Sequence, residues 1–161
     1  MMDQLIEKIK QTQNPTVVGL DPRLSFIPTF LKEECYAQLG KTPQAAAEAF
    51  YRFNCAIIDA VYDLVPAVKP QVAMYEMLGS AGIESYIRTI QYAKQKGLIV
   101  IGDVKRGDIA STAENYSDGH IGRVAVEEER FEIYKEDFIT VNPYLGYDSI
   151  EPYFANVSTY N

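Results

Sequence analysis

The sequence predicts an α/β fold of parallel strands joined by helical crossovers. Three observations carry that expectation. Short apolar runs alternate with long stretches of helical periodicity, four rounds in sequence. One of the runs, LIVIGDVK, reads as a buried strand. Three of the four also end in charged residues, at the end where parallel sheets and barrels bind ligands.

Residues 1–15, MMDQLIEKIKQTQNP, open the chain as an amphipathic helix with Leu5, Ile6 and Ile9 along one edge. Charges interrupt this stretch, so it does not read as a signal sequence. Asn14-Pro15 stops it, and TVVGLDP forms a short first strand ending at Pro22. A long helix is expected from Thr42 to Leu64, with Thr42 as N-cap and Pro43 at the first helical position. Phe50, Phe53, Ile57, Val61 and Leu64 recur along it at helical spacing. VPAVKPQ reads as the second strand, weakened by its two prolines. The next helix runs from about Gly79 to Lys96, with Ile83, Ile87, Ile90 and Ala93 on one face and Gly97 as its stop. LIVIGDVK is the clearest strand. A short helix follows Asp108, then an exposed acidic stretch near Glu127 to Arg130. DFITVNP is the fourth strand, and YDSIEPYFANV begins a last helix. No further repeat or low-complexity segment breaks this order.

The 161 residues are 47% hydrophobic and 23% charged, enough for a packed core in a single domain, 1–161. The net charge of −7 and the lack of a basic stripe argue against polymeric nucleic acid. No stretch approaches the ~20 apolar residues of a membrane span. Cys35 and Cys55 have no metal-ligand spacing, the one histidine, His120, adds little, and both thiols read as buried or half-buried. A reducing cytoplasm is the expected location.

Side chains alternate along a strand. Ile99, Ile101, Asp103 and Lys105 therefore share one face of LIVIGDVK, while Asp21 and Lys69 stand near the ends of the first two strands. Loop-edge salt bridges would explain one such strand; three at one end point to a catalytic cluster. Alternating acids and bases keep one another ionised. No Ser–His or Cys–His arrangement suggests acyl chemistry, and GLDPR lacks the later glycines of a dinucleotide fingerprint. A lysine held between carboxylates is a fixed cation and a proton source. It suits a reaction in which negative charge develops on carbon and is then protonated.

VGLDPR, AVKPQ, IGDVKRGDIAST and TVNPYLGYDS, in that order, resemble the orotidine 5′-phosphate decarboxylases, most of all their longer bacterial branch. The resemblance runs from residue 16 to about residue 153. It implies a (β/α)8 TIM barrel working as a homodimer on a nucleotide substrate, orotidine 5′-monophosphate, with no metal and no organic cofactor. It implies that Lys105 protonates C6 of the pyrimidine after carbon dioxide leaves, with Asp103 beside the substrate carboxylate. Lys69 would link that aspartate to the ribose, and Asp21 would bind the ribose hydroxyls. Asp108 and Thr112 would cross the dimer interface into the partner's site, and Gln71 and Asn142 would lie near it.

Four rounds are half of such a barrel, which typically takes ~250 residues. The chain is thus expected to cover about the first four β/α units. The phosphate-gripping segments of the second half would lie outside it, and the chain alone is expected to be inactive. Two other readings stand beside this one. A magnesium-dependent sugar-phosphate aldolase or decarboxylase of the same barrel superfamily resembles the chain in its D-x-K-x-x-D motif, but carries an acid where this chain has Lys69, which would repel a divalent cation. A non-catalytic half-barrel is the third.

Overall fold

A computed structural model describes residues 1–160, with side chains through Val157. The chain divides into two compact units, residues 2–100 and Ile101 onward.

The first unit begins with helix α1, Met2–Thr12, whose Asp3 and Lys10 lie at the ends that complement the helix dipole. Asn14 ends it by donating to the Leu64 carbonyl at 2.8 Å and accepting from the Thr16 N–H at 3.0 Å. Strand β1 is Val17–Leu20. Helix α2, Thr29–Leu39, follows; no sequence pattern had announced it, because its apolar residues scatter around the axis. Phe30 and Leu39 face solvent and Cys35 is its buried residue.

Helix α3, Pro43–Val61, starts where Thr42 and Pro43 predict. The Thr42 hydroxyl accepts the Ala45 N–H at 3.2 Å and donates to the Leu39 carbonyl at 3.0 Å. Its buried face is rotated from the expected one. Ala46, Phe50, Asn54 and Ile58 are buried, whereas Phe53 and Ile57 are half-buried and Leu64, beyond the helix, is exposed. Ala45, Ala47 and Ala49 also turn inward. Small residues let neighbouring helices approach closely, so the alanines mark the packed side better than the large side chains do.

Strand β2, Ala67–Pro70, leads to the single turn α4, Ala73–Glu76, and helix α5, Gly79–Gln95. Strand β3 spans Ile99–Arg106. β1 pairs parallel to β2 from Val17↔Ala67 to Leu20↔Pro70, and β2 pairs parallel to β3 at Ala67↔Ile99 and Val68↔Val100. Phe50, Tyr75 and Tyr86 form an edge-to-face aromatic core, with Phe50–Tyr75 and Tyr75–Tyr86 centroids 6.4 and 5.1 Å apart.

In the second unit, helix α6 is Ala110–His120. The exposed acidic stretch is an antiparallel hairpin of strands β4, Val124–Val126, and β5, Glu129–Phe131. Its turn holds Glu127 at φ +53°, without the glycine or asparagine that normally announces such a turn. Strand β6, Phe138–Val141, runs parallel to β3 through Ile101↔Phe138 and Gly102↔Ile139. A 3₁₀ turn at Tyr147–Ser149 and helix α7, Glu151–Tyr160, follow. Ala113, Ile121 and Tyr153 form the apolar centre between α6 and α7, with Tyr116 and Ile139 against it. Strand–helix alternation and parallel ladders are as the sequence predicts. Among the described residues, no helix is long and apolar enough to cross a membrane.

Candidate active site

In the first unit the candidate residues gather at the C-terminal ends of β1 and β2. Lys69 is in register with Gly19 and is half-buried. Asp21 is exposed one residue past β1; its carboxylate folds back so that Oδ1 would lie 3.2 Å from a Cβ on Gly19. The Gln71 N–H donates to the Leu20 carbonyl at 3.4 Å, and its Oε1 accepts from the Ala73 N–H at 3.3 Å. Gln71 therefore shapes the turn after β2. Underneath, the Tyr75 hydroxyl donates to the same Leu20 carbonyl at 3.1 Å and accepts from Asn54 Nδ2 at 2.9 Å. This neutral network pins the strand end that carries Asp21. Burial pushes the Tyr75 phenol upward, so it stays a donor.

In the second unit the end of β3 is irregular. Gly102 pairs with Ile139 and Arg106 with Val141, so four residue steps on β3 face two on β6. Such a bulge re-aims side chains. Lys105 sits within it at φ +49°. The left-handed region costs a residue with a Cβ about 1–2 kcal/mol, so neighbouring bonds must hold it there. The side chain of Asp103 is 9% exposed and that of Lys105 63%. Lys105 Nζ donates to Asp103 Oδ1 in a short contact. The Thr140 hydroxyl donates to the same oxygen at 3.0 Å and accepts the Lys105 backbone N–H at 3.0 Å. A buried carboxylate requires donors; the Thr140 hydroxyl and the Lys105 ammonium supply them here, and the lysine side chain remains largely open to solvent.

The loop after β3 is packed tightly. A Cβ on Gly107 would lie 2.5 Å from the Asn142 carbonyl oxygen, so only glycine fits there. The Asn142 N–H donates to the Arg106 carbonyl at 2.7 Å, and its Oδ1 accepts from the Tyr144 N–H at 3.1 Å. Asn142 thus fastens this loop to the end of β6. Asp108 is half-buried and accepts its neighbour's N–H, from Ile109, at 2.8 Å. Thr112 is half-buried in the first turn of α6.

Two polar features escaped sequence reasoning. Thr140 is one; its signal was the strand register, which sets it beside the buried Asp103. The other is His120, which is buried and lies with Nδ1 2.6 Å from Glu136 Oε2. Its ring stacks on Tyr134, centroids 4.6 Å apart. A Cβ on Gly102 would come within 2.3 Å of Glu136 Oε1, so the pair is wedged against β3. Nothing in the local sequence announces it, since Glu136 lies 16 residues from His120.

Comparison with known proteins adds a family. The model of the family described as orotidine 5′-phosphate decarboxylase / HUMPS matches residues 15–161. The chain is 47% identical over 150 residues to the orotidine 5′-phosphate decarboxylase of Rhodopirellula baltica, covering 93% of this chain and 48% of that protein. It is 41% identical over 159 residues to that of Petrotoga mobilis, covering 99% and 49%. Among solved structures, the Leishmania donovani OMP decarboxylase matches with a TM-score of 0.70 and 28% identity, over 96% of this chain and 48% of that one. The chain spans about half the length of the curated relatives it matches. It belongs to the orotidine 5′-phosphate decarboxylase / HUMPS family, and its α/β architecture is about half of that family's barrel.

Proposed function

We propose that this chain, as a member of that family, carries the acid–base centre that converts orotidine 5′-monophosphate to uridine 5′-monophosphate and carbon dioxide in pyrimidine nucleotide synthesis. The observation behind this reading is the outward-facing Lys105 ammonium held on the buried Asp103 carboxylate.

Cleavage of the bond between C6 and the carboxylate releases carbon dioxide and leaves its electron pair on C6. That pair lies in the ring plane, where no carbonyl delocalises it, so fixed charge must stabilise it. Lys105 Nζ stands as the nearby cation and then delivers its proton to C6; the amine regains a proton from solvent. Asp103 keeps the ammonium aimed until the carbanion forms. Asp21 is assigned to the ribose hydroxyls and Lys69 to the catalytic set, as the lysine linking Asp103 to the ribose, with Gln71 and Asn142 near the site. Positive charge at Lys69 supports a reaction without a divalent metal.

Asp108 and Thr112 are assigned to the partner's site in a homodimer. Ile109 beside Asp108 is 61% exposed; an apolar side chain offered to solvent next to a carboxylate suits a face that a second copy covers. A cytoplasmic location belongs to the same reading, supported by Cys35 and Cys55 being free thiols.

The test is carbon dioxide release from orotidine 5′-monophosphate by the native polypeptide in the presence of a chelator. Full activity in chelator is expected. A requirement for magnesium, or turnover of a sugar phosphate in place of the nucleotide, would favour the metal-dependent relatives instead. For the interface, mixed dimers of Asp108→Asn and Lys105→Ala chains should regain activity that neither parent has. If subunits exchange and activity stays absent, Asp108 works within its own chain.

A further inference from the structure

We infer that Thr140 is the positioning residue of the Asp103–Lys105 pair, an inference that rests on the acid–base reading of that pair. Ile139 pairs with Gly102, so the next residue on β6 stands alongside Asp103. The Thr140 hydroxyl accepts the Lys105 N–H and donates to Asp103 Oδ1, both at 3.0 Å. One hydroxyl thereby uses its proton on the acid and its lone pair on the backbone of the base. Lys105 Nζ returns to the same Asp103 oxygen, which closes a ring through both members of the pair.

The ring explains the local backbone. Inside the bulge the Lys105 N–H meets a side-chain oxygen of β6 in place of a ladder carbonyl. That bond holds Lys105 at φ +49°, against the steric preference of a residue with a Cβ. It also fixes where the lysine side chain starts and hence where its ammonium points. Threonine suits the task because its branched Cβ restricts χ1 in a strand, so the hydroxyl is aimed before any substrate arrives. Valine has the same shape without the hydroxyl; serine keeps the hydroxyl without the methyl. A residue acting only through packing would favour valine over serine, whereas a positioning hydroxyl reverses that order.

The experiment compares Thr140→Val and Thr140→Ser in the native polypeptide by steady-state decarboxylation and by hydrogen–deuterium exchange over residues 103–107. Thr140→Val should lower kcat about thirtyfold, roughly 2 kcal/mol at ~1.4 kcal/mol per tenfold, with KM changed by less than about threefold. Thr140→Ser should stay within about threefold of the unmodified protein. Exchange over 103–107 should quicken about tenfold in Thr140→Val and not in Thr140→Ser. A normal kcat in Thr140→Val, a loss confined to KM, or a serine variant no better than valine would overturn the inference. If the unmodified protein releases no carbon dioxide, the proposed function falls and the exchange data alone decide. Faster exchange in valine, reversed by serine, upholds the positioning role, and unchanged exchange refutes it.

Discussion

Two acid–base pairs flank neighbouring residues of β3, and they are built in opposite ways. Glu136, against Gly102, and His120 are sealed, with side chains 0% and 4% exposed. At the next position Asp103 is nearly buried, but its partner Lys105 is 63% exposed. A sealed pair has both members committed to each other and cannot meet a substrate; it can hold β6 and α6 in place. A half-open pair buries its carboxylate and presents its cation. The difference teaches that burial of one partner, not of both, marks a pair available for chemistry. The neutral Asn54–Tyr75 network beneath Leu20 extends the contrast. It is as buried as the histidine pair and supports a candidate strand end without facing a ligand.

The contrast can be broken most sharply at His120. His120→Ala removes one partner of a buried pair and the ring stacked on Tyr134. It should cost about 3 kcal/mol of unfolding free energy, read by chemical denaturation. At temperatures well below the melting transition, decarboxylation should stay within about threefold of normal. Lost turnover with unchanged stability would assign the chemistry to the sealed pair instead. Tyr75→Phe deletes only the hydroxyl that binds the Leu20 carbonyl and should cost about 1 kcal/mol, with a modest rise in KM through the Asp21 strand end. The smallest effect is expected at a half-buried surface triad, where Glu48 accepts from Arg52 Nε at 2.7 Å and Arg88 Nη1 at 2.8 Å. Burial raises the Glu48 pKa, but hydrogen bonds and charge from the two arginines outweigh it and hold the carboxyl below its usual range. Its folded pKa is depressed, so its stabilisation is present above the unfolded value of about 4.3 and is lost as pH falls through the folded one. Glu48→Gln should therefore lower stability at pH 7, and the deficit should fade on acidification below about pH 4. A deficit that persists in acid would mean the loss is one of packing.

Much of this was legible in the sequence because the signals were local. Thr42-Pro43 declares the start of α3, and the apolar run LIVIG declares β3, which continues through Asp103 to Arg106. The period-2 alternation of a strand sets Asp103 and Lys105 on one face, and they meet, although the bulge and the left-handed Lys105 lie between that expectation and the contact. Features that depend on tertiary partners stayed hidden. Helix α2 has no apolar stripe to read, the inward face of α3 is set by alanines, and the β4–β5 turn lacks the residues that normally mark it. Thr140 and Glu136 acquire meaning only when β6 is laid against β3, a pairing that no short motif encodes.

The proposed chemistry of the half-open pair rests on the Lys105 ammonium, so Lys105→Ala is the decisive variant. Carbon dioxide release from orotidine 5′-monophosphate should be measured on the native polypeptide alongside its melting temperature. A fall in kcat of about a thousandfold or more is expected, the scale of a lost general acid that is also the stabilising cation. Stability should change by less than about 1 kcal/mol, because the Lys105 side chain is 63% exposed and alanine, which also carries a Cβ, keeps the left-handed strain unchanged. Near-normal release by a stable Lys105→Ala protein would rule out Lys105 as the proton donor.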